Sequence, residues 1–209
     1  MQQRTLGIYG GTFNPVHFGH LIMARAFRDS FALPEVRLIP TGTPPHRVPE
    51  VSALQRLEWL KAALIGEQDL IADNREVKKG SVSFTFDTLT ELQQEQPHSL
   101  LVWLIGGDSF AHLPSWYKWQ ELLEMGHLVV VNRPGFDELP FEIKREFAKR
   151  HVEASPQALA QGKISVLALP LMSVSSTAVR EKLARGEDVS DLSPIATILR
   201  QSGLYSKNT

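Results

Sequence analysis

The sequence contains no cysteine, and this absence excludes disulfide bonds, thiolate metal sites and thiol nucleophiles. The 209 residues carry a formal net charge of only −1, so no overall field attracts nucleic acid or an anionic membrane. Any anionic ligand must therefore be bound by local basic residues. Seven histidines are present, but they form no tight cluster with aspartate of the kind that would indicate a zinc site.

Long apolar runs are missing as well. None approaches the roughly 20 residues that a membrane helix needs, and residues 1–4 lead directly into a predicted strand without the apolar region of a signal peptide. The sequence shows no internal repeat and no low-complexity tract. We therefore expect a cytoplasmic protein without a membrane or nucleic-acid partner, folded as one domain over residues 1–209. A homo-oligomer is compatible with this sequence.

Strand and helix patterns alternate along the chain. Short apolar runs predict strands at residues 6–9, 35–40, 70–74, 100–105, 128–131 and 164–169. Helices are predicted around residues 24–31 and 57–64 and over 84–96, 116–125, 141–150, 177–185 and 193–203, with a basic turn at 78–82. This alternation predicts a Rossmann-like α/β fold, a doubly wound parallel sheet with helices on both faces, and a small C-terminal helical part over about residues 173–209. Ligands of such sheets bind at the carboxyl ends of the strands.

The most informative stretch is GGTFNPVHFGH at residues 10–20, between a predicted strand and a predicted helix. Gly10 and Gly11 lack a Cβ, so this turn can take unusual dihedrals and admit a ligand close to the backbone. The first helical turn then offers backbone N–H groups and the positive end of the helix dipole, which suit phosphate. His17 and His20 lie three residues apart, so they share one face at this end if both are helical.

A Gly-Gly turn alone is a weak signal, and a lone histidine is more often a cap or a core residue. In its strand–turn–helix context, however, the stretch resembles the GxFxPxHxGH signature of nucleotidyltransferases. It is similar to the version found in bacterial nicotinate mononucleotide adenylyltransferases. It is not a Walker loop, because no Gly-Lys-Ser/Thr follows, and it is not a GxGxxG dinucleotide fingerprint.

Two further segments resemble the same family on its nicotinate side. TPPHR at residues 43–47 is similar to a PPHK/R loop, in which two prolines would fix the backbone and present His46 and Arg47. The alternative is a rigid surface loop with solvated charges. SFTFDT at residues 83–88 resembles an SYTxDT segment whose threonine, here Thr85, helps to hold the nicotinate carboxylate. Phe84 replaces the usual tyrosine, and the alternative is that Thr85 or Asp87 only caps a helix.

The segments IGGDS at residues 105–109 and LPSWYKW at 113–119 follow the fourth predicted strand. Asp108 could accept ribose hydroxyls or hold water around a metal, and the alternative is a helix cap. Trp116, beside a Pro-Ser turn, is placed to stack on a flat ring, whereas Trp119 fits a core position. The two segments resemble the family's GxD…LPxWxxW pattern, in which the first tryptophan packs against the pyridine ring.

A second strong signature is SVSSTAVR at residues 173–180. Hydroxyls at a helix start cap it, the adjacent N–H groups bind anions, and Arg180 one turn later can reach the same anion. The segment alone could be a plain capping motif, but it resembles the family's ISSTxIR element, which binds ATP phosphates, with valine at both isoleucine positions. RPG at residues 133–135 follows a predicted strand; Arg133 is either a charge at a turn or, by the resemblance, faces the phosphates.

The resemblance covers nearly the whole chain through separate motifs. It implies adenylyl transfer from ATP to nicotinate mononucleotide without a covalent intermediate, with Mg²⁺ bound to ATP rather than to a cage of side chains. The implied catalytic residues are His17 and His20. The implied ATP site is Gly10, Gly11, Thr12, Phe13, His17, His20, Gly106, Asp108, Ser176, Thr177 and Arg180, and the implied nicotinate mononucleotide site is Asn14, His46, Arg47, Thr85, Trp116, Tyr117 and Arg133.

Three alternative functions differ from this prediction in testable ways. Another transferase of the superfamily, such as a pantetheine-phosphate adenylyltransferase, is usually shorter and lacks the PPHR and LPSWYKW segments. A non-catalytic nucleotide sensor is disfavoured because both histidines and the SSTxxR element are intact. A nucleic-acid-binding module is disfavoured by the near-neutral charge and by the lack of a basic stripe.

Overall fold

Six parallel strands form one sheet in the computed structural model of the chain, which describes residues 4–43, 51–131, 139–170 and 174–205. The strands are β1 (Arg4–Gly11), β2 (Val36–Pro40), β3 (Leu70–Ala72), β4 (Ser99–Gly106), β5 (His127–Val131) and β6 (Ile164–Leu167). Their order in the sheet is β3-β2-β1-β4-β5-β6. All five neighbouring pairs are parallel, which confirms the predicted fold class.

Both faces of the sheet are covered, as the continuous apolar runs of the central strands predict. Successive residues of a strand point to opposite faces, and in β4 they enter two separate cores. Leu100, Val102 and Leu104 belong to one hydrophobic cluster, whereas Leu101, Trp103 and Ile105 belong to the other. The helices on each face therefore pack against alternate residues of the same strands.

The direction of the chain across the sheet reverses at the pair of β1 and β4. The chain runs outward from β1 through β2 and β3 and then returns to the other side of β1, where β4 pairs with it in parallel. The carboxyl ends of these two strands flank the crevice in which a doubly wound sheet binds its ligand. GGTFNPVHFGH begins with the last two residues of β1 and GGDS begins with the last residue of β4, so both segments start at this crevice.

Nine α-helices lie within the described residues. They are α1 (Phe18–Ser30), α2 (Ala53–Ala63), α3 (Arg75–Lys79), α4 (Thr85–Glu95), α5 (Gly107–Ala111), α6 (Trp119–Leu122), α7 (Phe141–Arg150), α8 (Ser176–Ala184) and α9 (Ala196–Ser202). The buried residues of α1, among them Leu21, Ala24 and Phe27, recur every three residues along the face that packs on the sheet. No helix in the described part of the chain combines the length and the apolar content that a membrane span needs.

Two predicted elements are wrong. Lys78 and Lys79, predicted to lie in a basic turn, form the last turn of α3, and the chain turns only at Gly80, whose φ is +64°. The helix predicted over residues 116–125 is broken at its start. Residues Leu113–Ser115 form a 3₁₀ turn, Lys118 has a left-handed φ of 53°, and α6 contains only four residues. Helices this short have too few turns for apolar periodicity to reveal their limits.

Several boundaries also differ from the predicted ones. The third and sixth strands end at Ala72 and Leu167, two residues before their predicted ends. The last helix begins at Ala196 rather than at the Ser193-Pro194 pair. The Ser193 hydroxyl donates to the carbonyl of Val16 at 2.8 Å and accepts from the N–H of Ile195 at 3.4 Å, so Ser193 holds the turn before the helix against Val16.

Candidate active site

A cavity of about 230 Å³ lies at the carboxyl ends of β1 and β4. One wall is Gly10 to Thr12, which we call the glycine turn, and the other includes Thr85 at the start of α4 and Trp116. The turn predicted at Gly10 and Gly11 is wrong, because both residues end β1 and pair with β2. A Cβ built on Gly10 meets no protein atom within 4 Å, so the missing side chain leaves room beside the backbone. The remaining lining residues are Ile8, Ile39, Thr41, Glu76, Ser83, Thr88, Leu89, Trp103, Leu104, Ile105 and Ser109.

The two histidines of the opening motif form a stacked pair. His17 is the N-cap of α1 with an extended backbone, φ −144° and ψ 168°, so only His20 lies inside the helix. Their ring centroids are nevertheless 3.7 Å apart, with 29° between the ring planes. The backbone N–H of His17 donates to Nδ1 of His20 at 3.2 Å. Since Nδ1 accepts this proton, a neutral His20 carries its own proton on Nε2 and can donate it to an anion.

The turn that precedes the pair is fixed by an aromatic residue in an unusual conformation. Phe13 has a φ of +48°, which is uncommon for a residue with a side chain. Its buried ring packs against Tyr9 at 5.5 Å and against His20 at 4.9 Å between centroids. The core therefore sets the direction of the Thr12 and Phe13 backbone N–H groups and, through ring contact, the place of His20.

The second signature lies directly against the first. Ser175 caps α8 by accepting a hydrogen bond from the N–H of Ala178 at 3.1 Å. Ser176 donates to the carbonyl of Pro15 at 3.0 Å, and Arg180 donates to the carbonyl of Asn14 at 2.8 Å. Arg180 also donates to the Thr177 hydroxyl at 3.2 Å. Residues 166 positions apart in the chain are thus in direct contact, and the N-terminus of α8 is brought to the histidine motif.

The pyridine side of the predicted site is built from aromatic contacts around Thr85. Thr85 is the first residue of α4, after the N-cap Phe84, and no side chain caps this helix end, so Thr85 is not merely its cap. The Tyr117 ring lies 5.0 Å from Phe84 and 5.9 Å from Phe86, between centroids. Trp116, next to Tyr117, is half-buried and lines the cavity. Tyr117 itself is 48% exposed and is not among the lining residues.

Other predicted site residues lie beside the cavity or outside the described chain. Gly106 ends β4, and Asp108 is exposed in the first turn of α5, adjacent to the lining residue Ser109. Asn14 is buried, and its side-chain oxygen accepts a hydrogen bond from the Tyr205 hydroxyl. The predicted ligands His46, Arg47 and Arg133 lie outside the residues that the structure describes.

Two buried charged residues at the cavity were not predicted from the sequence. Arg56 in α2 is 0% exposed, and its guanidinium donates to the carbonyls of Thr12, at 2.7 Å, and Thr41, at 2.6 Å. Glu76 in α3 lines the cavity and accepts from the Thr88 hydroxyl at 2.8 Å. Burial lowers the pKa of Arg56 and raises the pKa of Glu76. The one signal for Arg56 is its position on the apolar face of α2, one turn before Leu60.

Comparisons with known proteins agree with this arrangement. Residues 8–182 match the model of the family described as cytidylyltransferase-like. A probable nicotinate-nucleotide adenylyltransferase of Chromobacterium violaceum is 44% identical over 207 residues, covering 96% of this chain and 98% of the relative. A relative from Aeromonas hydrophila with the same description is 41% identical over 211 residues, covering 98% and 99%.

The fold is also similar to solved structures. The Plasmodium falciparum nicotinic acid mononucleotide adenylyltransferase complexed with NaAD superposes with a TM-score of 0.74 over 97% of both chains, at 17% identity. A structure described as a putative nicotinate-nucleotide adenylyltransferase from Vibrio parahaemolyticus gives a TM-score of 0.64 at 18% identity, covering 98% of this chain and 97% of that one. At these identities the likeness extends to the fold.

Proposed function

The chain belongs to the nicotinate-nucleotide adenylyltransferases of the cytidylyltransferase-like family, and we propose that it transfers the adenylyl group of ATP to nicotinate mononucleotide, releasing pyrophosphate. The observation that carries this proposal is the contact between the two signature segments beyond the carboxyl end of β1. Arg180 and Ser176 of α8 donate to the carbonyls of Asn14 and Pro15, immediately before the stacked histidines. A triphosphate bound there would meet both segments at once.

The reaction requires positioning and charge stabilisation rather than a protein nucleophile. The second pKa of a phosphate monoester is about 6, so the mononucleotide phosphate is largely a dianion at pH 7. One of its oxygens attacks the α-phosphorus of ATP in line, and the bond from that phosphorus to the bridging oxygen breaks, so that pyrophosphate leaves with the electron pair. The protein must hold both phosphates and neutralise the developing charge.

Each element of the ATP site has a defined role in this proposal. His17 and His20, with the backbone N–H groups of Thr12 and Phe13, bind the α-phosphate and the departing pyrophosphate. Gly10 and Gly11 let the nucleotide approach the backbone. Ser176, Thr177 and Arg180 hold the β- and γ-phosphates at the start of α8. Gly106 and Asp108, at the end of β4, receive the ribose.

The mononucleotide occupies the cavity on the other side of the glycine turn. Thr85 and Trp116 recognise the pyridine ring and its carboxylate, with Tyr117 supporting the aromatic wall through Phe84 and Phe86. Arg47 and Arg133 bind the mononucleotide phosphate in this proposal, and Asn14 and His46 complete the predicted contacts with the mononucleotide. All four assignments rest on the sequence resemblance.

Mg²⁺ enters this proposal with ATP. Phosphate oxygens and water are the ligands that Mg²⁺ prefers beside a nucleotide. Among the residues that the structure describes, no group of three His, Asp or Glu side chains could hold a metal ion. When bound, the ion would neutralise part of the phosphate charge. We place the reaction in the cytoplasm, in line with the expectation from the sequence.

The proposal is tested by pyrophosphate release with ATP and Mg²⁺ and, separately, nicotinate mononucleotide, nicotinamide mononucleotide or phosphopantetheine. We expect strong preference for the first acceptor. Equal use of the two pyridine nucleotides would keep the reaction but refute the roles of Thr85 and Trp116 in selecting the carboxylate. Activity with phosphopantetheine alone, or with none of the three, would overturn the proposed acceptor.

A further inference from the structure

Gly42, in the segment after β2, lies between two buried charged side chains. Its carbonyl accepts a hydrogen bond from Arg56 at 3.2 Å, and its N–H donates to the Glu76 carboxylate at 3.3 Å. A Cβ at this position would lie 2.2 Å from the backbone oxygen of Glu76, so the close approach requires glycine. Because Arg56 also donates to the carbonyl of Thr41 at 2.6 Å, Arg56 and Glu76 bind the two ends of the Thr41–Gly42 peptide group.

Each charge also reaches a different wall of the cavity. Arg56 donates to the carbonyl of Thr12, in the glycine turn, and to that of Thr41. Glu76 accepts from the hydroxyl of Thr88, one turn into α4 and on the wall that Thr85 begins. A continuous set of hydrogen bonds therefore runs from the glycine turn through Arg56, Gly42 and Glu76 to α4.

We propose that Arg56 and Glu76 are positioning residues that hold the glycine turn and the α4 wall at a fixed separation, so that the two phosphates meet in line. This inference rests on the proposed function, since it assigns the turn to ATP and the α4 wall to the mononucleotide. Neither residue is required to touch a substrate. Both act through the backbone and side-chain groups that they hold.

Stability alone is a poor explanation for two buried charges here. Within the described residues, no carboxylate is hydrogen-bonded to Arg56; its donors contact the carbonyls of Thr12, Thr41, Gly42 and Val51. Burial lowers the pKa of Arg56 and raises the pKa of Glu76, so in each case it opposes the charged form. Arg56 and Glu76 interact only through the field of their charges, and even a buried ion pair in contact can often be replaced with apolar side chains without loss of stability. The planar guanidinium of Arg56 has five N–H donors in a fixed arrangement, so it can orient several carbonyl groups at once.

The decisive comparison is between Arg56→Met and the double variant Arg56→Met/Glu76→Leu, with kcat measured per folded molecule by pyrophosphate release. We expect kcat of Arg56→Met to fall about 10- to 100-fold, because misplacing a reacting group by about 1 Å can cost about 100-fold. The double variant leaves no buried charge unmatched, so we expect it to unfold at a higher temperature than Arg56→Met. Its kcat should nevertheless remain low, since nothing holds Thr12.

Two further variants distinguish a positioning role of Arg56 from a general loss of stability. Arg150→Met is the matched control, because Arg150 also donates to a backbone carbonyl, that of Gly162, and to carboxylates, but at the β6 edge of the sheet. We expect it to lower stability and to keep the wild-type kcat per folded molecule. Arg56→Lys keeps the charge beside Glu76 without the fork, and we expect it to fold with a kcat at least about 10-fold lower.

The results separate this inference from the function on which it rests. If the wild-type protein releases no pyrophosphate with nicotinate mononucleotide, the proposed function fails. If the wild type is active and the kcat of the double variant recovers together with its stability, the pair is only structural and the inference is wrong. Wild-type turnover in a folded Arg56→Lys protein would overturn it equally, even if the double variant did not fold.

Discussion

The buried imidazole of His127 makes the stability of the fold sensitive to mild acid. His127, at the start of β5, is 0% exposed, and its Nε2 lies 2.9 Å from the Ser165 hydroxyl on β6. Its Nδ1 lies 3.2 Å from the carbonyl of Ala160. Burial lowers the pKa of His127 from 6.5 to about 4, and the Ala160 carbonyl opposes this change only in part.

The direction and size of the pH effect on stability follow from the difference in proton binding between the folded and the unfolded chain. Between pH 6.5 and about 4 the unfolded chain binds a proton on this residue and the folded chain does not, so protonation favours unfolding as the pH falls. The full difference between the two pKa values corresponds to about 3 kcal/mol, since one pKa unit is about 1.4 kcal/mol. Most of this contribution to the free energy of unfolding is lost by pH 4, and almost none is lost above pH 7.

Urea unfolding of the wild type and of His127→Asn at pH 4, 5, 6 and 7 would measure this contribution. We expect the free energy of unfolding of His127→Asn to be lower than that of the wild type at pH 7, and the gap to close or reverse by pH 4. His98→Asn removes a histidine from an exposed position and is the control; its free energy of unfolding should equal that of the wild type at each pH. If the gap between His127→Asn and the wild type were constant from pH 7 to pH 4, the burial argument would be refuted.

The sheet could be predicted because its information is local to each strand. The apolar runs of β4 and β5 are buried on both faces. The GGTFNPVHFGH and SSTxxR segments could be recognised because their combinations of residue types at fixed spacing are specific. The short helices α3 and α6 could not be predicted in this way. They are set by contacts with other elements, such as the Thr88 hydroxyl bound to Glu76, rather than by their own periodicity.

The signature motifs of the candidate site can be recognised in the sequence, but the hydrogen bonds that position them cannot. The sequence predicts that SSTxxR and the histidine motif share a ligand, but not that Arg180 and Ser176 bind the carbonyls of Asn14 and Pro15. Arg56 shows only as a charge on an apolar helix face, and the carbonyls that it contacts come from separate parts of the chain. The sequence identifies each residue, but the effect of a buried charge on stability or function depends on which groups the fold places around it.

Two further predictions address the chemistry of the site itself. His20→Ala should lower turnover at least about 100-fold while ATP still binds, because the lost interaction stabilises charge in the transition state; near-normal turnover, with ATP binding measured by calorimetry, would refute the role. Trp116→Ala should raise the Michaelis constant for nicotinate mononucleotide and leave that for ATP unchanged, because the indole lines the cavity opposite the glycine turn. Trp116→Phe retains a flat ring and should restore much of the affinity. Loss of affinity for both substrates together would show that Trp116 supports the fold of the site and does not stack on the pyridine.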